Sequence, residues 1–242
     1  MMTHARGTFG VSPLAVLLLL LAVPLAARAQ SNRFLEAGIP TADREWLGSD
    51  YERTVQILSA GKVALPRFSD PQGTALLRRM TSTENFSFHR NKSLPLRQRM
   101  DDFLKMSREV PALLELYLSE PRIGGGPHQE VAALLAFVLQ MSALSVELSD
   151  EWLPADSKTN PDMRMAGLFL STEQMLTEQQ DLFGDDLSVL LKAMESTLPR
   201  IKKKLSQDSR VELRKKLEAD KARFSKPEDV ERLNSMIREL SV

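Results

Sequence analysis

Apolar residues recur along most of this chain at alternating steps of three and four positions, which is the spacing of one face of an α-helix. The longest unbroken runs cover residues 96–117 and 187–205, and shorter runs cover residues 47–58 and 230–240. A stripe of this kind has to be buried against a neighbouring element. The pattern therefore predicts several helices that pack on one another, and sustained strand patterns are absent.

Proline and glycine mark where these helices begin and end. Asp70 places a capping side chain directly before Pro71, whose missing N–H costs nothing at the first helical position. Gly61 follows a periodic run and is suited to ending a helix. Pro111 and Pro199 fall inside otherwise continuous stripes, so we expect kinks or breaks there.

The most apolar stretch covers residues 131–146, where thirteen of sixteen residues are apolar. A bilayer span needs roughly 20 such residues, and this block is interrupted by Gln140, Ser142 and Ser145. A helix that is apolar on all sides is more simply one surrounded by other helices. With Pro127 in its first turn, the stretch predicts a central core helix over residues 127–150.

These observations predict an all-α fold, a bundle of about seven helices around that central helix. We expect one α-helical domain over residues 30–242, since 213 residues are enough for one sizeable core. An alternative is a small C-terminal helical subdomain over residues 207–242.

The N-terminus has the pattern of a cleavable secretory signal peptide. Arg6 precedes an apolar block at residues 14–23, and Ala27-Arg28-Ala29 fits the small-residue cleavage pattern. We therefore expect residues 1–29 to be removed and the mature chain to begin near Gln30.

The chain contains no cysteine, which excludes disulfides, thiolate metal sites and cysteine nucleophiles. Small exported eukaryotic domains usually depend on disulfides. Export without cysteine therefore favours a bacterial envelope compartment, most simply the periplasm. We expect a protein that is not integral to the membrane and that binds no nucleic acid.

Charge is balanced over the whole chain but segregated along it. Residues 33–108 carry a net charge of +4, residues 109–195 carry −11, and residues 196–242 carry +5. Two interpretations stay open: the acidic middle packs beside the basic ends within one fold, or the surface is polarised and binds a charged partner.

The first candidate binding site lies before the central helix. Gly125 and Gly126 precede His128 and Glu130, and the start of a helix presents free N–H groups to anions. The segment lacks the Gly-Lys-Ser/Thr ending of a phosphate loop, and Pro127 removes one donor.

The second candidate is the segment over residues 84–99, which mixes aromatic and basic side chains. Its residues Phe86, Phe88, His89 and Arg90 combine stacking surfaces with positive charge. In an exported protein, an anionic envelope component or an acidic partner is the expected ligand. The alternative is that the phenylalanines belong to the core and the charges are solvated.

Motifs for catalysis are nearly absent. The chain has no Gly-x-Ser-x-Gly elbow, no His-Glu-x-x-His and no Glu-x-x-His pair, so we expect no metal, no cofactor and no assigned catalytic residue. The leading hypothesis is a non-catalytic binding or scaffolding protein that recognises a protein partner, or a second copy of itself, through its charged helical surface.

Two alternatives remain. One is a periplasmic carrier or chaperone for an apolar small molecule, held between helices by methionine and phenylalanine side chains, which adapt to varied ligands: Phe137, Met141, Met165, Phe169 and Met175. The other is a hydrolase-type enzyme that uses His89 or His128 with a carboxylate.

Overall fold

The computed structural model describes residues 31–41, 43–120, 128–152 and 186–241, and in these ranges the protein is all-helical without a β-strand. The α-helices are α1 (Arg33–Glu36), α2 (Gly48–Ser59), α3 (Pro71–Met80), α4 (Ser87–Arg90), α5 (Leu96–Leu118), α6 (His128–Trp152), α7 (Leu187–Ile201), α8 (Gln207–Asp220) and α9 (Pro227–Ser241). The predicted all-α bundle is confirmed. The predicted signal peptide lies outside the described residues.

The predicted central helix is α6, and it is longer than the sixteen-residue apolar block. α5 and α7 pack against it, and its side chains from Val131 to Leu148 are mostly buried. By length and composition alone, the stretch His128–Glu151 is also able to cross a membrane, with a mean hydropathy of 1.9 over a window that is 72 % buried. The helix is therefore long enough to span a bilayer, contrary to the expectation from the apolar block alone, while this burial is typical of a core helix.

The N-terminal part of the bundle is built on the contact between α2 and α5. Gly48, the first residue of α2, lies so close to α5 that a Cβ atom there would come within 2.5 Å of the Asp102 carbonyl oxygen and 2.6 Å of Lys105 Cβ. The Gly48 N–H donates to both carboxylate oxygens of Asp102, at 3.0 Å each. A glycine is needed here because the two backbones touch.

The C-terminal part is held together by apolar stripes. α9 packs on both α7 and α8, and every stripe contributes fully buried side chains, among them Leu198, Leu213 and Leu233. α9 therefore joins the C-terminal pair of helices to α7. The division into one domain or two stays a prediction.

Most of the predicted helix boundaries agree with the structure. Asp70 caps α3 by accepting a hydrogen bond from the Gly73 N–H, with Pro71 in the first turn. α2 ends at Ser59, and Gly61 just beyond it has a φ of +65°. The expected breaks at Pro111 and Pro199 do not occur, since α5 and α7 each continue through their proline.

Candidate functional site

The basic and aromatic segment, residues 84–99, does not form one continuous surface. It comprises the end of a 3-10 helix (Thr83–Phe86), the single turn α4, a short loop and the start of α5. Its side chains point in different directions. Phe86 and His89 are buried in the core, whereas Phe88 is half-buried and Arg90 is exposed.

Phe86 belongs to the core rather than to a binding surface. Its ring stacks on Phe137 of α6, with centroids 5.1 Å apart and planes 15° apart. The Tyr51 ring also stacks on Phe137, with centroids 6.2 Å apart. Phe86 therefore belongs to the core, which is the alternative interpretation that the sequence left open for the phenylalanines of this segment.

His89 is completely buried and both of its ring nitrogens are occupied. Nδ1 lies 3.2 Å from the Asn85 carbonyl oxygen, and Nε2 lies 3.0 Å from Asp102 Oδ2. His89 is within reach of an acid, as a catalytic pair requires, yet it has no nitrogen left for a substrate. Its position is that of a structural residue that joins α4 to α5.

Asn85 organises a second buried group of hydrogen bonds. Its Oδ1 accepts from the Trp46 backbone N–H at 2.9 Å, and its Nδ2 donates to the Tyr51 hydroxyl at 2.9 Å and to the Arg79 carbonyl at 2.8 Å. The Tyr51 hydroxyl donates in turn to the Met80 carbonyl at 2.6 Å, and burial raises the pKa of Tyr51. One amide side chain thus links the loop before α2, α2 itself and the end of α3.

The acidic C-terminal end of α6 is surrounded by basic side chains from residues 90–99 and from residues 200–204. The negative pole of the helix dipole repels carboxylates at this end, so pairing with a cation stabilises them. Glu147 pairs with Arg90 and Arg200, Asp150 pairs with Lys204, and Glu151 pairs with Arg99 and Lys92. At this place the acidic middle packs beside the basic ends within one fold.

Arg99 is the buried member of this group. Its Nη1 donates to the His89 carbonyl at 2.9 Å and its Nη2 to Glu151 Oε2 at 2.6 Å. The hydrogen bond from Arg99 holds the pKa of Glu151 below its ordinary value. This contact fastens the start of α5 to the end of α6.

An open groove of about 470 Å³ runs along α5, and we call it the α5 groove. Its lining combines apolar surface with charges of both signs: Leu47, Phe88, Pro95, Arg97, Gln98, Asp101, Asp102 and Lys105. Leu104 does not line the groove, but it follows Asp101 by three positions on α5 and is 57 % exposed. Phe88 is the aromatic residue that the segment contributes to this surface.

Arg90 lines a smaller cleft of about 270 Å³ on another side of α4. We call it the Arg90–Arg200 cleft; its lining is mostly polar: Thr83, Phe86, Arg90, Gln140, Ala143, Ser196, Thr197 and Arg200. It lies where the 3-10 helix and α4 meet α6 and α7.

The glycine-rich candidate is only partly described. Gly125 and Gly126 lie outside the described residues, and His128 is the first residue of α6. Glu130 is buried, and its Oε1 accepts from the Phe68 backbone N–H at 2.7 Å while Arg67 lies 3.8 Å from Oε2. Glu130 therefore fastens the loop before α3 to α6. That contact uses one of its oxygens within the fold.

Of the residues expected to line an apolar ligand pocket, Phe137 and Met141 are buried in the core. Met165, Phe169 and Met175 lie outside the described residues, so the carrier hypothesis stays a prediction. In the described ranges, no group of three or more histidine, aspartate or glutamate side chains is arranged to hold a metal ion.

Comparison with known proteins adds no relative. No family model matches the chain, and no curated protein and no solved structure matches it.

Several residues that shape these sites were not identified from the sequence. The contacts that position these residues join positions 13 or more apart in the sequence: Asp102 with His89, Asn85 with Trp46, Glu147 with Arg90, and Arg200 with Glu147. Arg200 begins the basic stretch Arg-Ile-Lys-Lys-Lys of residues 200–204, which is a usable signal for it. The others have no sequence pattern of their own.

Proposed function

We propose that this protein is an exported, non-catalytic binding protein of a bacterial envelope, and that it holds a partner protein at the α5 groove. The observation that carries the proposal is the exposed face of α5. Phe88 and Leu47 contribute apolar surface to the groove along α5, and Leu104, three positions after Asp101 of the groove on the same helix, is 57 % exposed. Export to the periplasm is supported by the pattern of residues 1–29 and by the absence of cysteine.

The composition of the groove is that of a protein-binding surface. Protein interfaces combine apolar and aromatic anchors with a polar rim, and a few such anchors provide most of the binding energy. Phe88 and Leu47 are the anchors here, while Arg97, Asp101 and Lys105 form the rim. A partner with one apolar side chain flanked by charges of both signs is complementary to this arrangement.

Hydrogen bonds of Asp102 fix the shape of the α5 groove in the absence of a partner. Asp102 lines the groove and is bonded to His89 in the core and to the Gly48 N–H of α2. Gly48 is in backbone contact with α5. A surface fixed in this way loses little conformational entropy on binding.

The surroundings of His89 support a non-catalytic role. Its ring nitrogens lie against Asn85 and Asp102 inside the core, whereas a general base has to reach the proton that it abstracts. The His89–Asp102 pair instead serves to hold the groove in place.

Photo-crosslinking in the cells that produce the protein tests this proposal. A benzophenone amino acid replaces Leu104 in the full chain, and the matched control carries it at Val189 on α7, which is 43 % exposed. We expect a covalent adduct with one second protein from position 104 and none from position 189. Replacing Arg97 and Lys105 together by Glu reduces the yield, whereas Lys192→Glu on α7 leaves it unchanged.

Equal yields at positions 104 and 189, or no adduct at either, would contradict the proposal. An adduct of twice the chain mass would show that the occupant is a second copy of this chain and would overturn the assignment to a different partner protein. Because exposed charges are screened by salt, the adduct yield should also fall as salt is added before illumination.

A further inference from the structure

We propose that the Arg90–Arg200 cleft binds a phosphate group, a ligand site separate from the α5 groove. The cleft has a volume of about 270 Å³, which suits one compact anionic group rather than a whole cofactor. The proposal goes beyond partner binding and does not depend on it.

Two guanidinium groups in this cleft share one carboxylate. Arg90 Nε lies 3.0 Å from Glu147 Oε2 and its Nη2 lies 3.3 Å from Oε1, while Arg200 Nη1 lies 2.9 Å from the same Oε1. Arginine stays protonated in proteins. Two positive charges on one negative charge leave the cleft with one positive charge in excess.

Neighbouring acids do not remove this excess. Asp150 is paired with Lys204, and Glu151 is paired with Arg99 and Lys92. No further acidic residue lines the part of the cleft that the structure describes. These acids therefore do not neutralise the positive charge at Arg90 and Arg200.

Unused hydrogen-bond donors accompany this charge. Among the contacts of the described residues, Arg90 uses Nε and Nη2 and Arg200 uses Nη1, although each guanidinium has five N–H donors. The Arg90 group is held 5.6 Å from the centroid of the Phe86 ring, which limits its freedom to turn. Thr83 and Gln140 add a hydroxyl and an amide to the lining.

A phosphate group fits these donors better than a single carboxylate does. Planar guanidinium groups bind phosphate oxygens in pairs, and a phosphate monoester offers three terminal oxygens to two such groups and their polar neighbours. The side chains of Arg90 and Arg200 are 42 % and 51 % exposed, so the ligand has access from solvent.

Isothermal titration of the mature chain with inorganic phosphate, at constant ionic strength, tests the proposal. We expect saturable binding at one site, and Arg200→Gln should weaken it about tenfold, the effect of one charge-assisted hydrogen bond. Arg238→Gln is the matched control, because Arg238 also forms an exposed pair, with Glu231 on α9.

Glu147→Gln separates binding from a merely structural role. Removing the shared carboxylate leaves both guanidinium groups for the ligand, so phosphate binding should become several-fold tighter even if the fold loses stability. A purely structural ion pair predicts no gain in binding. Circular dichroism of each variant establishes that it is folded before titration.

Two sources of the phosphate group are distinguished with glycerol phosphate and with phosphatidylcholine vesicles that do or do not contain phosphatidic acid. Binding to glycerol phosphate alone identifies a soluble ester, and binding to the phosphatidic acid vesicles identifies a lipid headgroup. Absence of binding to all three phosphate probes, or equal binding by the wild type and Arg200→Gln, would overturn the proposal.

Discussion

The N-terminal helices and the C-terminal helices of this bundle are held together by different means. Between residues 43 and 120, buried polar side chains join one element to another. Asn85 links α2 to α3, His89 links α4 to α5 through Asp102, and Arg99 joins α5 to α6. Between residues 186 and 241, the buried residues are mostly leucine and methionine on helical stripes, and the arginine and lysine pairs lie nearer the surface. The exception is the buried Asp229 of α9, which accepts a hydrogen bond from the Ser188 hydroxyl of α7 at 2.9 Å.

The difference has a consequence for specificity. An apolar stripe tolerates several similar arrangements, because hydrophobic burial depends little on direction. A buried amide or imidazole is satisfied in one geometry only, and every other geometry leaves unpaired groups. The polar part of the fold therefore determines the shape of the α5 groove, whereas the apolar part mainly supplies stability.

The largest effect is expected for Asn85→Ala. The substitution leaves the buried Trp46 N–H without its acceptor. It also removes the Asn85 bonds to the Tyr51 hydroxyl and the Arg79 carbonyl, which keep their contacts with the Met80 carbonyl and the Ser82 N–H. With about 1–3 kcal/mol for the unsatisfied donor and about 1 kcal/mol for each lost hydrogen bond, the free energy of unfolding should fall by about 4 kcal/mol. Chemical denaturation measures it. Asn91→Ala, at an exposed position, is the control, and equal losses for both variants would refute the importance of buried polar contacts.

Gly48→Ala should come next. The added methyl group meets the Asp102 carbonyl oxygen and Lys105 Cβ at less than 3 Å, so α2 and α5 have to separate. Overpacking of this kind costs about 2–3 kcal/mol, and thermal unfolding of the variant checks it. Ser49→Ala, at the exposed next position of α2, should change little. An unchanged melting temperature for Gly48→Ala would show that the two backbones do not touch.

A smaller and pH-dependent effect is expected for Glu151→Gln. Because Arg99 lowers the pKa of Glu151 in the folded state, this carboxylate adds stability above its ordinary pKa, and the contribution is lost as the pH falls through the lowered value. The variant should lose about 1–2 kcal/mol at neutral pH, less than for a fully buried pair because Glu151 is partly exposed. At a pH below the lowered pKa of Glu151, the variant and the wild type should be equally stable. A loss that does not change between neutral pH and about pH 3 would contradict this assignment.

The smallest effect is expected in the C-terminal helices, for Leu198→Met. Leu198 lies in the stripe of α7 and is fully buried, but a swap that conserves volume usually costs less than about 1.5 kcal/mol. Denaturant unfolding should therefore place this variant close to the wild type. A loss as large as that of Asn85→Ala would remove the distinction between the two regions.

The same distinction explains what was predictable from the sequence. The stripes of α5, α7 and α9 were located because hydrophobic periodicity is local, and Asp70 and Gly61 marked helix ends through their own backbone preferences. Of the kinks or breaks expected at Pro111 and Pro199, a break occurs at neither: α5 continues to Leu118 and α7 to Ile201. Local rules were therefore reliable for where helices form and for their caps, and less so for the effect of a proline inside a helix.

The candidate site was predicted less completely. Mixed aromatic and basic composition drew attention to Phe88 and Arg90, and the fold places the first in the α5 groove and the second in the Arg90–Arg200 cleft. His89 belongs to the core, because Asp102, thirteen positions away, reaches it from α5. Pairings between polar residues on different helices leave no periodic signal, so they emerge only when the helices are packed.

Native mass spectrometry of the protein purified from the exported fraction of the cells that produce it tests the central claim most directly. The account predicts a chain that begins at Gln30, in a complex with a second polypeptide that dissociates when salt is raised. A chain that retains residues 1–29 would contradict export with cleavage. A complex with an apolar molecule of a few hundred daltons, and no second polypeptide, would contradict partner binding and favour a carrier.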